Sequence, residues 1–183
     1  MKIYFATGNS GKVEHLQNIL TGFEVVQLDV DTVEPQSESL EEIVTAKIEQ
    51  AVEKVDTVED GFLIADDSGL FLDSLNGFPG AYSAPFDKMV GKEKLLDLID
   101  GDNSAEFRAA IGLYDDNGEV EVFKGTIEGE IVEPRGDGGF GYDPMFLPDG
   151  SEETWGEDPG QKDENSHRQK AVEKLVEFLE QSL

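Results

Sequence analysis

Six residues near the start of the chain, Thr7-Gly8-Asn9-Ser10-Gly11-Lys12, have the composition of an anion cradle. They follow an apolar run and precede a helix-period pattern. The amides of Ser10 and Gly11 would therefore stand at the positive end of a helix. Gly8 and Gly11 let a ligand approach the backbone closely, Lys12 adds a point charge, and Thr7 and Asn9 add hydrogen bonds. The spacing is not that of a Walker A loop, which needs four residues between Gly and Gly-Lys and then Ser or Thr. Here two residues separate Gly8 from Gly11, and Val13 follows Lys12. Taken alone, the run is as well explained by a tight strand-to-helix turn with a solvated lysine.

A second group is Asp66-Asp67-Ser68-Gly69, at the end of the apolar run Phe62–Ala65. Neighbouring acids repel, and Mg²⁺ held by one or two carboxylates is the usual compensator in phosphate chemistry. Ser68 could reach a phosphate or sugar, and Gly69 could let the chain turn. With 41 Asp and Glu in the chain, an ordinary acidic turn is a serious rival, and nothing local separates Glu34 from its neighbours. The third group is Gly139-Phe140-Gly141-Tyr142-Asp143-Pro144. A ring between two glycines suits stacking on a planar base, worth about 1–3 kcal/mol, and Asp143 could accept from base N–H groups; a rigid Gly-rich turn around a core aromatic is the alternative. The fourth is Ser166-His167-Arg168, which places cationic side chains at a helix start, where they are unfavourable without an acceptor such as a ligand carbonyl or phosphate; a solvated cap explains three residues alone equally well.

These groups need elements to position them. Lys2–Ala6 reads as a buried strand, and Val13, Leu16, Ile19 and Leu20 as one face of a helix. Glu24–Leu28 is a second strand. Ser39 and Glu42 form a capping box for a helix carrying Leu40, Ile43, Val44, Ile48, Ala51 and Val55. Phe62–Ala65 reads as a short strand and Lys92–Ile99 as a helix. Phe107–Tyr114 and Glu119–Thr126 flank the hairpin signal Asn117-Gly118, with strand continuing over Ile127–Val132. Pro134–Gly150 reads as an ordered loop and Trp155–Asn165 as a polar stretch. Ser166 then caps a last helix with Val172, Leu175, Val176 and Leu179 on its apolar face. The order β-α-β-α-β, a β-rich middle and a final helix predicts an α/β fold with a mixed sheet.

Composition narrows the partners. Fourteen basic residues against 41 acidic ones give a net charge of −27. So acidic a surface disfavours nucleic acid and anionic membranes, which require a basic footprint. Regular hydrophobic periodicity argues for a folded protein adapted to concentrated salt, where charge repulsion is screened within a few Å. No stretch approaches the ~20 apolar residues of a membrane span, and the N-terminal run is too short for a signal peptide, so a soluble, cytoplasmic protein is expected. Without cysteine, neither a disulfide nor a thiolate nucleophile is possible.

The four groups, together with Gly77-Phe78-Pro79-Gly80-Ala81-Tyr82-Ser83, occur in an order that resembles the inosine/xanthosine triphosphate pyrophosphatase family, from residue 3 to about residue 175. The resemblance implies Mg²⁺-dependent hydrolysis of ITP, dITP and XTP to the monophosphate and pyrophosphate. It implies a single domain over 1–183, an elongated α/β fold with a long twisted mixed sheet, two lobes with a cleft between them, and a homodimer. By the same likeness Thr7, Gly8, Asn9, Ser10, Gly11 and Lys12 bind the triphosphate. Asp67 is the metal-linked general base, Glu34 a second metal ligand, and Ser68 a substrate contact. Phe140 stacks on the base within Gly141, Tyr142 and Asp143, while Asp143, Lys162, His167 and Arg168 read its edges. Arg168 can only donate, so it would favour a 6-oxo over a 6-amino purine. Two departures stand out: Glu42-Ile43-Val44 where the family often has Glu-Asn-Ala, and Pro85 where an Arg often follows. The rivals are a related enzyme of modified pyrimidine or methylated guanine nucleotides, and a non-catalytic nucleotide sensor.

Overall fold

The computed structural model describes residues 1–55, 61–115 and 117–182. The elements are β1 (Lys2–Ala6), α1 (Ser10–Ile19), β2 (Glu24–Leu28), α2 (Leu40–Lys54), β3 (Gly61–Leu72), β4 (Pro79–Gly80), α3 (Ser83–Met89), β5 (Ser104–Tyr114), β6 (Val120–Ile131), β7 (Phe146–Pro148), α4 (Pro159–Glu164) and α5 (His167–Ser182), with 3-10 turns at Asp73–Leu75, Lys92–Leu98 and Asp143–Met145. One seven-stranded mixed sheet has the order β2-β1-β3-β5-β6-β7, with β4 on β3. β1 pairs in parallel with β2 and β3, while β4 on β3 and β7 on β6 are antiparallel.

The chain forms two compact units, one of residues 1–67, 109–125 and 168–183, the other of 68–108 and 126–167. Neither is a continuous segment, because β3 and the β5–β6 hairpin pass from one into the other. In the first unit, Ile3 and Phe5 of β1, Leu16 of α1, Ile64 of β3, Ile111 and Leu113 of β5 and Val172, Leu175 and Leu179 of α5 share one core. In the second, Leu70 and Leu72 of β3, Phe107 of β5, Ile127 and Ile131 of β6, Phe146 of β7 and Trp155 share another.

Several expectations are corrected. β3 does not end before the acids but continues to Leu72, with Asp66-Asp67-Ser68-Gly69 inside it. Gly69 therefore does not turn the chain. A Cβ there would lie 2.1 Å from the Gly80 carbonyl oxygen, so glycine admits β4 against β3. The Pro134–Gly150 region is not wholly loop, since it contains a 3-10 turn and β7. Trp155 opens no polar stretch: it is fully buried in the second core, and α4 follows it, capped by Asp158. The hairpin closes between Asp115 and Glu119, wider than a tight Asn-Gly turn, with Gly118 at φ 85°. The capping box is half formed. Ser39 Oγ accepts from the Glu42 amide at 3.3 Å, but the Glu42 carboxylate takes the Ser37 hydroxyl instead. α3 escaped the periodicity because its Pro85 interrupts the pattern, although proline is tolerated in a first turn whose amides lack intrahelical partners.

Candidate active site

In the first unit the N-terminal cradle is locally self-supporting. Asn9 caps α1, its Oδ1 accepting from the Lys12 amide at 3.2 Å, and the Asn9 amide donates to Thr7 Oγ1 at 3.1 Å. Thr7 and Asn9 thus shape the loop, and their expected ligand bonds come second to this. The first-turn amides of Ser10 and Gly11 lie ahead of any intrahelical acceptor. Among the described residues a Cβ at position 8 would meet only Asp29 Oδ1, at an ordinary 3.6 Å, so packing there does not demand glycine. The space left there is open to a ligand.

Successive side chains of a strand project to opposite faces, and this separates the two acids of β3. Asp66 is enclosed by cations. Lys12 Nζ lies 2.8 Å from its Oδ1, Arg168 Nε and Nη2 lie 3.1 and 2.9 Å from its Oδ2, and Lys47 Nζ donates to its main-chain oxygen at 3.0 Å. Burial by itself would raise the Asp66 carboxyl, but Lys12, Arg168 and Lys47 overcome that and hold it well below the ordinary range. The expectation that a metal must relieve the paired acids is therefore corrected for Asp66: protein cations relieve it.

Asp67 is the opposite case. It is buried, and its Oδ2 has no hydrogen-bond partner among the described residues. Burial pushes its carboxyl up to about 6, against the pull of Lys12 and Lys47 and with a further push from Asp66 and Glu34. Glu34, whose side chain is half exposed, accepts from Lys47 Nζ at 3.0 Å. A carboxylate that is costly to ionise, with a free oxygen and a second carboxylate in electrostatic reach, fits a hard divalent cation such as Mg²⁺, which completes its shell with water and substrate oxygens. No group of three or more acidic or histidine ligands is preassembled among the described residues.

Lys47 was missed by the sequence reading. Burial opposes its charge, yet Asp66, Asp67 and Glu34 hold the ammonium above its ordinary value. A signal existed: Lys47 interrupts the buried face of α2 formed by Leu40, Ile43, Val44, Ile48 and Ala51. Arg168 is the residue expected to read a base edge. It is 1% exposed, engaged with Asp66, and its Nη1 lies 2.8 Å from His15 Nδ1.

The second unit holds the aromatic group. Lys162 Nζ lies 2.7 Å from both Asp143 carboxylate oxygens and 3.9 Å from the Phe140 ring centroid. The Phe140 amide donates to Asp143 Oδ2 at 2.8 Å, while its ring stays 43% exposed. Gly139, at φ 70°, allows this arrangement, since a Cβ would fall 2.2 Å from Asp143 Oδ2. Asp143 thus first secures the loop and Lys162. Tyr142 is buried, and its hydroxyl donates to the Ser83 carbonyl at 2.7 Å. The Gly141 carbonyl accepts from Lys92 Nζ at 2.6 Å. His167 is buried and stacked on Phe107 and Trp155, at centroid distances of 5.0 and 5.8 Å. Ser68 is half-buried in β3.

Residues 3–178 match the sequence profile of the Ham1 family. The chain is 41% identical to a dITP/XTP pyrophosphatase of Methanopyrus kandleri, over 100% of this chain and 98% of that protein. It is 43% identical to a dITP/XTP pyrophosphatase of Pyrococcus horikoshii, over 100% and 99%. Among solved structures it superposes on the Staphylococcus aureus Ham1 protein with a TM-score of 0.84, at 34% identity and full coverage of both chains.

Proposed function

The chain belongs to the Ham1 family, and from that premise we propose that it is a pyrophosphatase that hydrolyses dITP, ITP and XTP to the monophosphate and pyrophosphate. The observation that carries the chemistry is the gathering of Lys12, Lys47 and Arg168 around Asp66, in a chain of net charge −27, on the strand that also carries the buried Asp67. In so acidic a chain, three cations gathered at one strand suit a polyanion once a divalent cation offsets Asp67 and Glu34.

Glu34 and Asp67 would hold Mg²⁺, which when bound neutralises phosphate oxygens and favours the leaving group. The cradle Thr7–Lys12 binds phosphate oxygens through the Ser10 and Gly11 amides. Lys12 has three donor hydrogens, so it serves Asp66 and a phosphate together. Asp67 accepts the proton of the water that attacks the α-phosphorus; the bond from that phosphorus to the α–β bridging oxygen breaks and pyrophosphate leaves. Ser68 hydrogen-bonds the substrate.

In the second unit Phe140 stacks on the base. Lys162 donates to the 6-oxo group, the role first expected of Arg168, and His167 stacks on Phe107 and Trp155. An adenine would meet this donor with its own 6-amino donor, and such mispairing discriminates strongly when buried. A nucleotide-pool substrate assigns the work to the cytoplasm, and we infer a homodimer. The deciding experiment measures pyrophosphate release from ITP, XTP, GTP and ATP with Mg²⁺ in molar salt. Faster turnover of ITP and XTP is expected, and equal turnover of all four would overturn the reading.

A further inference from the structure

His15 lies on α1 beside the core residue Leu16 and is 6% exposed. None of the chemistry above uses it. Its Nδ1 stands 2.8 Å from Arg168 Nη1. A guanidinium carries donors only, so the contact has one chemical sense: Nδ1 offers its lone pair and the ring is the neutral tautomer protonated at Nε2. The remaining edge of Arg168, Nε and Nη2, closes on Asp66 Oδ2, and Asp66 Oδ1 takes Lys12 Nζ. Four side chains therefore stand in series: a neutral acceptor, a cation, an anion and a cation.

We propose that His15 is a positioning residue, an acceptor locked in one tautomer that holds the Arg168 guanidinium in register with Asp66 and, through Asp66, sets the place of Lys12. A long buried cation with one edge on a carboxylate can still swing about that contact. A second acceptor at Nη1 removes the freedom. Because this acceptor is neutral, it leaves the charge of Arg168 undivided for Asp66. Lys12, with three donor hydrogens and one of them on Asp66, keeps the others for the substrate. The inference rests on the assignment of Lys12 to the phosphates.

The test has two arms. In the nucleotide-free protein, imidazole ¹⁵N NMR should find His15 Nδ1 unprotonated and Nε2 protonated at pH 7. A proton on Nδ1 would overturn the proposal whatever the substrate proves to be. In the kinetic arm, His15→Asn keeps an acceptor near the Nδ1 position and His15→Leu removes it at similar volume. With ITP as probe, kcat/KM should fall about tenfold in His15→Leu and return to within about twofold of the parent in His15→Asn, a factor of ten being about 1.4 kcal/mol. Equal kcat/KM for the two variants would overturn the positioning role. If His15→Leu does not fold, His15→Asn and the tautomer decide: a tenfold loss in the folded Asn variant counts against the proposal. A parent protein inactive on ITP but with the stated tautomer would sink the substrate reading and not the His15–Arg168 contact.

Discussion

Asp66 and Asp67 are adjacent and identical in type, yet their surroundings give them opposite properties. Asp66 is ionised because cations enclose it, so removing its charge strands Lys12 and Arg168. Breaking a buried pair in this way is worth about 3–5 kcal/mol, and Asp66→Asn should lose stability of that order in denaturant unfolding. Asp67→Asn should instead keep nucleotide binding and lose turnover by about 10²–10⁴-fold, the ordinary contribution of a general base; retained turnover would remove Asp67 from that role. The same residue predicts a pH effect in Mg²⁺-free protein. Its carboxyl is raised in the folded state from an ordinary 3.8 to about 6, so the folded state holds the proton more tightly than the unfolded one. Stability from this group is fully present below pH 3.8, declines as pH rises and is lost above about 6. At about 1.4 kcal/mol per pH unit the loss reaches about 3 kcal/mol. Asp67→Asn lacks the effect, so in chelator the stability difference between parent and variant should grow between pH 4 and 7 and then stay level. A difference that does not change with pH would contradict the burial argument.

At the scale of elements, glycines separate ligand space from protein space. The Gly8 position has room for a methyl group within the protein. Gly8→Ala should therefore keep the melting temperature within a degree or two while raising KM for the triphosphate; a fall in melting temperature with unchanged KM would show that the cradle is only a turn. Gly139 is the reverse, at φ 70° with Asp143 where a Cβ would be. Gly139→Ala should disturb the seat of Phe140, raising KM for ITP about tenfold or more with a smaller effect on kcat. Most elements were legible in local sequence: β1 and β2 as predicted, α1, α2 and α5 by their apolar faces. β3 is not legible to its end, because Asp66-Asp67-Ser68-Gly69 has the local composition of a turn. Its extension depends on β4, and only a distant segment can supply that pairing.

At the scale of the molecule, the net charge of −27 predicts dependence on salt. At 1 M salt, screening acts over about 3 Å; at 0.01 M it acts over about 30 Å, and mutual repulsion of surface carboxylates then opposes compactness. Melting temperature and ITP turnover should both rise steeply from 0.05 to 2 M KCl. Unchanged melting and full activity at low salt would refute the adaptation.

Local sequence settled β1, β2, α1, α2, α5 and the mixed α/β class, because periodicity, capping and turn residues are local properties, and the ordered set of short motifs carried the resemblance to the family; α3, β4, β7 and α4 lay beyond it. Tertiary structure alone decided the division of labour within the motifs. It set Lys12 and Arg168 on Asp66, left an Asp67 oxygen without a partner among the described residues, and tied the Tyr142 hydroxyl to the Ser83 carbonyl. It also brought in Lys47 and His15, which the pattern hides as polar residues on apolar helix faces. Burial and charge pairing bring together residues as much as 153 positions apart, and these interactions shift a proton equilibrium or orient a guanidinium in ways no local spacing records.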